Sequence, residues 1–219
     1  MQNRISETFK QHHDETFQNH GATPKGVDWN DPSELNVRYK RLLAVYNNDL
    51  LPPSSPTLLD VGCGWGGMKL FLENEAKYSS FSYRGVDIVP SMIKYAQKNI
   101  DNDSFYCADF LNDSNNDRFD YVICNAIMTQ KLDHSIPEMK SFCRQIIHKM
   151  FEVCERGISF TLMSDRVNFK ATNLYYCNPL EMLHYMLDEI SCRVIIDHGY
   201  SSLDTGKGHF YDYIVHAYK

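Results

Sequence analysis

Residues 57–71, TLLDVGCGWGGMKLF, leave few choices of fold. A short apolar run ends in a cluster of glycines, and a helical apolar pattern starts directly after it. Glycines at such a turn accept backbone angles that other residues avoid, and they let a ligand approach the main chain. The stretch therefore reads as a buried strand, a tight turn and a helix, the opening unit of an α/β sheet. In such sheets ligands gather at the carboxyl ends of the strands. The glycines fit two templates at once. Gly62, Gly64 and Gly67 spell G-x-G-x-x-G, the dinucleotide pattern. Gly62, Gly64 and Gly66 spell G-x-G-x-G, with Cys63 and Trp65 between them and an acid, Asp60, just before.

Strand-like and helix-like segments alternate along the rest of the chain. Further strands are expected at 81–88 (FSYRGVDI), 104–109 (SFYCAD), 119–127 (FDYVICNAI) and 157–163 (GISFTLM). Between them, Pro90 with Ile93, Ala96 and Ile100 marks one helix, and the stripe Met139, Phe142, Ile146, Met150, Val153 marks another. Asn178, Pro179 and Glu181 open a third. CRVIIDHG (192–199) and FYDYIVHAY (210–218) have no helical segment between them, so they are expected to pair antiparallel. This alternation predicts an α/β fold: a mostly parallel sheet covered by helices on both faces, three layers in all. Ahead of it, DPSELNVRYKRLLAVYNNDL (31–50) has a capped helix start at Asp31, Pro32 and Glu34, and LPPSSP (51–56) reads as a linker. We read 1–219 as a single domain, with 1–50 a helical cap or lid and 57–219 the α/β core.

Composition excludes several classes of function. The net charge is −6 with no long basic run, which disfavours nucleic-acid partners. No run of about 18 apolar residues is present, so no membrane span is expected, and the polar N-terminal stretch does not read as a secretory signal. The seven cysteines are odd in number and form no C-x-x-C pair, as expected of reduced thiols in a cytoplasmic protein. No metal site is expected. His12 and His13 are the only adjacent histidines, and neighbours on a helix point in different directions.

The acids narrow the choice of ligand. Asp60 would repel a pyrophosphate resting on the turn but would welcome a cofactor carrying an ammonium and a sulfonium. Asp87 closes the second strand, where a carboxylate can accept both hydroxyls of an adenosine ribose. Asp109 closes the third, with Phe110 and Met92 able to cover an aromatic base. LLDVGCGWGG, GVDI, CADF and FDYVICNAI together resemble the class I S-adenosylmethionine-dependent methyltransferases over residues 57–165.

The resemblance implies a Rossmann-like seven-stranded sheet whose last strand is antiparallel. It also implies S-adenosyl-L-methionine as cofactor, with S-adenosyl-L-homocysteine as product. The backbone of Gly62, Cys63, Gly64, Trp65 and Gly66 would pack against the methionyl part and Asp60 would reach its ammonium. Asp87, with Ile88 beside it, would hold the ribose, and Asp109 the adenine amine. Asn125 follows the fourth strand at the expected cofactor edge. The segment HGATPKGVDWN (20–30) is similar to small bacterial members, some of them linked to polysaccharide biosynthesis. It suggests a lid with Trp29 as a wall and Arg38 as partner for the cofactor's carboxylate; Trp29 would serve equally as an anchor for the cap.

Methyl transfer needs alignment more than acid–base chemistry, and a base only where the acceptor must lose a proton. His134 and His209 are the candidate bases, though each also suits a solvated loop. Lys131, Asp133, Tyr175 and Tyr176 are the candidate acceptor contacts, and Asp204 stands in the same loop as His209. Asn125-Ala-Ile-Met128 departs from the Asn/Asp-Pro-Pro-Tyr/Phe motif of enzymes that methylate nucleobase amines. A small polar acceptor fits better, with a sugar or carbohydrate precursor suggested by the resemblance alone. Two alternatives stay open: a nicotinamide-dependent oxidoreductase using Gly62, Gly64 and Gly67, and a non-catalytic protein that binds an adenosyl ligand.

Overall fold

The computed structural model describes residues 2–29, 31–115, 117–199 and 211–219. The core is one sheet in the order β3-β2-β1-β4-β5-β8-β7. Its strands are β1 (Thr57–Val61), β2 (Ser82–Asp87), β3 (Phe105–Cys107), β4 (Phe119–Cys124), β5 (Cys154–Ser164), β7 (Arg193–Asp197) and β8 (Asp212–Tyr218). Neighbours from β3 to β5 run parallel, while β8 lies antiparallel between β5 and β7. This is the Rossmann-like arrangement expected, with the final two strands paired as their short connection requires. One element is additional: β6 (Tyr176–Cys177) pairs with the end of β5. Two residues are too few to leave a period in the sequence.

Helices cover both faces. α4 (Gly67–Asn74) and α5 (Pro90–Asn99) pack on one face together with α2 (Pro32–Leu42) and α3 (Ala44–Asn47). α6 (Ile136–Val153) and α7 (Pro179–Glu189) pack on the other. β1 is buried at Leu58, Leu59, Asp60 and Val61, as a central parallel strand covered on both faces must be. α6 starts with a capping box in which Ser135 and Glu138 satisfy each other's backbone N–H groups. The single helix expected over 31–50 is two, because the chain bends at Leu43.

The N-terminal segment is α1 (Gln2–His20), a helix with few apolar residues. It lays Ile5 and Phe9 on the α6 side of the core. Its other end rests on α5, where the Ser91 hydroxyl donates to Asp14. Thr23 then starts a 3-10 turn, Pro24–Val27, by accepting from Gly26 N. α1 and this turn pass over the carboxyl ends of β1, β2 and β4.

Candidate functional site

The glycine turn follows one of the two templates. Gly62, Gly64 and Gly66 have φ of +75°, +56° and +96°, whereas Gly67 is the first residue of α4. Left-handed backbone is thus spent in the G-x-G-x-G register. A Cβ on Gly62 would lie 2.3 Å from Ile127 Cδ1, so a side chain there would also have to push Ile127 aside. Asp87 clasps the turn: Gly64 N donates to its Oδ2 at 2.8 Å, and Val89 N donates to its Oδ1 at 2.9 Å.

Above the turn lies a cavity of about 450 Å³. Asp60, Gly62, Cys63, Gly64 and Trp65 form its floor, and Asp87, Ile88 and Met92 one wall. Asp109, Phe110, Asn125, Trp29 and Arg38 also line the cavity. Gly66 is not in contact with the cavity; it shapes the turn from below, against Phe105. Asp60 is buried and accepts from Tyr83 Oη at 2.8 Å. Burial pushes its carboxyl up from 3.8 to about 7; the Tyr83 hydrogen bond opposes the rise and the charge of Asp87 adds to it. Burial also raises the pKa of Asp87, against the backbone N–H groups of Val89, Gly64 and Ile88 and the charge of His13. Asp109 accepts from Leu111 N and Asn112 Nδ2, so it organises the loop after β3. The chemistry of these groups fits an adenosyl ligand: a left-handed glycine turn, and carboxylates able to accept from hydroxyls and to face a cation.

A methyltransferase-domain family model matches residues 54–211. The chain belongs to the methyltransferase-domain family. Solved structures with the same fold include magnesium protoporphyrin IX methyltransferase from Synechocystis with bound SAM (15% identity, 98% of this chain and 97% of that one, TM-score 0.62). The N-methyltransferase NodS from Bradyrhizobium japonicum, in complex with S-adenosylhomocysteine, is 17% identical over 96% of this chain and 97% of its own, with a TM-score of 0.62. The plantazolicin methyltransferase BpumL, solved with a substrate analogue and SAH, gives 12%, 100% and 99%, with a TM-score of 0.64. A search of curated proteins finds no significant match.

The segments after β4 and before β6 differ from the sequence expectation. A bridge between Gln130 and Leu174 ties the segment after β4 to the one before β6. It turns Lys131 back onto its own chain, where Nζ donates to the carbonyls of Leu132 and His134. Asp133 is exposed on the outside of that turn. His134 is buried beside Phe9 in a T-shaped ring contact, and among the described residues its Nε2 has no hydrogen-bond partner. Tyr175 is in the core under α6, and Tyr176 Oη accepts from Ala171 N. None of these five lines the cavity. His209 and Asp204 lie outside the described residues.

Other residues stand in their place. Phe142, Ile146, Met163 and Leu174 make an apolar wall, with Thr129, Gln130 and Tyr211 beside it. Arg38 is held by Asp212 of β8, with Nε to Oδ2 at 2.6 Å and a terminal nitrogen to Oδ1 at 3.1 Å, both side chains buried. The pair sits under Trp29, whose ring centroid is 4.1 Å from the Arg38 guanidinium carbon. Arg38 is therefore part of a fixed ion pair at the cavity. α1 adds Ser6, Phe9 and His13. Burial lowers the His13 pKa, against the charges of Asp28 and Asp87. The signal for α1 was present in the spacing of Ile5, Phe9 and His13; nothing local marked Asp212.

Proposed function

We propose that this chain transfers the methyl group of S-adenosylmethionine to a polar atom of a small, hydroxylated acceptor of carbohydrate type. The observation that carries the cofactor half is the left-handed glycine turn, clasped by Asp87 and floored by buried Asp60. The cofactor, when bound, supplies an activated sulfonium methyl group. The protein's part is to hold and align. Asp87 keeps acceptor capacity for ribose hydroxyls beyond its two backbone bonds. Asp60 stands beneath the turn as counter-charge for an ammonium. α1 and the Thr23–Trp29 segment exclude water. Alignment of this kind contributes on the order of 7–11 kcal/mol to a two-substrate reaction.

The acceptor half rests on the mixed wall. A sugar ring has an apolar C–H face and a polar edge. Trp29, Tyr211 and Met163 suit the face; Thr129, Gln130 and the Arg38–Asp212 pair suit the hydroxyls. The nicotinamide alternative loses support, since the turn needs a left-handed glycine at Gly66, which that template does not call for, and Asp60 would oppose a pyrophosphate.

Calorimetry with S-adenosylhomocysteine and NADH tests this reading. S-adenosylhomocysteine is expected to bind and NADH not. Asp87→Ala removes two charge-assisted hydrogen bonds to the ribose and is expected to weaken binding by roughly a hundredfold. NADH binding that exceeds that of S-adenosylhomocysteine would overturn the assignment. Transfer of a labelled methyl group to hydroxylated small molecules then separates an enzyme from a protein that only binds the adenosyl ligand.

A further inference from the structure

We propose that His12, His13 and Asp28 form a binding site for one divalent transition-metal ion of the zinc class at the rim of the cavity. Adjacent helical histidines diverge, which argued against such a site; here the loop after α1 folds back and places a carboxylate between them. Asp28 Oδ2 lies 2.8 Å from His12 Nε2 and 3.6 Å from His13 Nδ1. One donor atom from each of the three residues falls within 4.8 Å of the others. Tetrahedral zinc with legs of 2.0–2.1 Å holds its donors about 3.4 Å apart, so small side-chain rotations close the set. Two imidazoles and one carboxylate suit zinc, cobalt or nickel and not magnesium or calcium, which favour all-oxygen shells.

Two further observations belong to the same place. Asp28 is a non-glycine residue with φ of +61°, so the chain holds this carboxylate in a backbone conformation that few residues adopt. Gln130 Nε2 donates to Asp28 Oδ2 at 2.7 Å, the kind of outer hydrogen bond that orients a ligating carboxylate. The Oε1 of the same amide is buried with no partner among the described residues, an acceptor available to a water on the metal. His13 and Asp28 also line the cavity, so the ion would join α1, the Thr23–Trp29 segment and the strand-β4 loop at its rim.

The test is a titration of untagged, chelator-treated full-length protein with cobalt(II), read by visible absorption. The expected result is one cobalt per chain with the intense bands of tetrahedral coordination, displaced by zinc. Asp28→Asn keeps the left-handed backbone and an oxygen for Gln130 but loses the charged ligand; His12→Gln removes a half-exposed ligand. Each is expected to weaken cobalt binding by at least about tenfold, whereas His20→Gln leaves it unchanged. Absence of tetrahedral bands, or equal binding in wild type and both ligand variants, overturns the site. The claim does not rest on the methyltransferase reading. S-adenosylhomocysteine titrated into the same samples keeps the two apart, since protein that binds it without tetrahedral cobalt fails the metal site alone.

Discussion

At the ends of β1, β2 and β3, each cavity residue sits within a run of a few positions that also makes the strand end. At the ends of β4, β5 and β8, cavity residues come from far apart: Arg38 meets Asp212 across 174 positions. The first half is built by local backbone geometry, the second by tertiary contacts. A turn of glycines needs only its own sequence and one clasping acid. A buried ion pair needs the cap and the sheet to be assembled first. The two halves should therefore fail differently when altered.

The largest effect is expected in the second half. Asp212→Ala takes the nearer carboxylate from the buried Arg38 guanidinium and leaves Glu34, 3.6 Å from a terminal nitrogen, beside it. Breaking a buried pair costs about 3–5 kcal/mol of stability, and Glu34 should hold the loss toward the lower figure. Urea unfolding measures it, and replacing both partners with apolar residues should recover most of the loss. An unchanged midpoint in the single variant would show that the cap is held by other means, and the contrast between the halves would weaken. Gly62→Ala probes the first half. Left-handed backbone costs a side-chain-bearing residue about 1–2 kcal/mol, and the new methyl meets Ile127. S-adenosylhomocysteine affinity should fall by about tenfold or more through loss of the cradle, with the fold retained by circular dichroism.

A smaller effect sharpens the comparison through pH. The folded Asp60 carboxyl holds its proton up to about 7, while its ordinary value is 3.8. Between those limits the folded state binds more protons than the unfolded one, so stability falls as pH rises from about 4 to 7 and levels off above. Asp60→Asn should flatten that slope. A cationic ligand over Asp60 draws the proton off. Binding should therefore release a proton between about pH 5 and 7, read by calorimetry in buffers of different ionisation enthalpy. The smallest effect is His134→Phe. Its Nε2 is buried and unpartnered, so an aromatic replacement should leave stability within about 1 kcal/mol of wild type. Methyl transfer should be equally unaffected; a large loss would return His134 to the reaction.

The same division decides what the sequence made legible. β1 begins and ends where its apolar run does, because a buried parallel strand is continuous in hydrophobicity. The turn's register was ambiguous on paper, since four glycines fit two spacings; backbone angles separate them. The acceptor candidates were chosen by nearness in sequence to the ends of β4 and β5. The Gln130–Leu174 bridge redirects them: it faces Lys131 to its own carbonyls and sends Tyr175 into the core. Leu132 at φ +48° belongs to that redirected turn, and no residue pattern marks it. The histidine pair has a neighbour that no spacing in the sequence marks, Asp28, whose Oδ2 stands 2.8 Å from His12 Nε2 and 3.6 Å from His13 Nδ1. Directions on an isolated helix say nothing about a loop that folds back between two side chains.

The chain has two tryptophans, and both line the cavity. Trp65 donates its indole N–H to the Thr23 carbonyl at 3.2 Å, and Trp29 covers the Arg38 guanidinium. Indole fluorescence of this protein thus originates at the contact between the Thr23–Trp29 segment and the glycine turn. A shift of that segment should alter the spectrum, readable in stopped-flow without any attached dye.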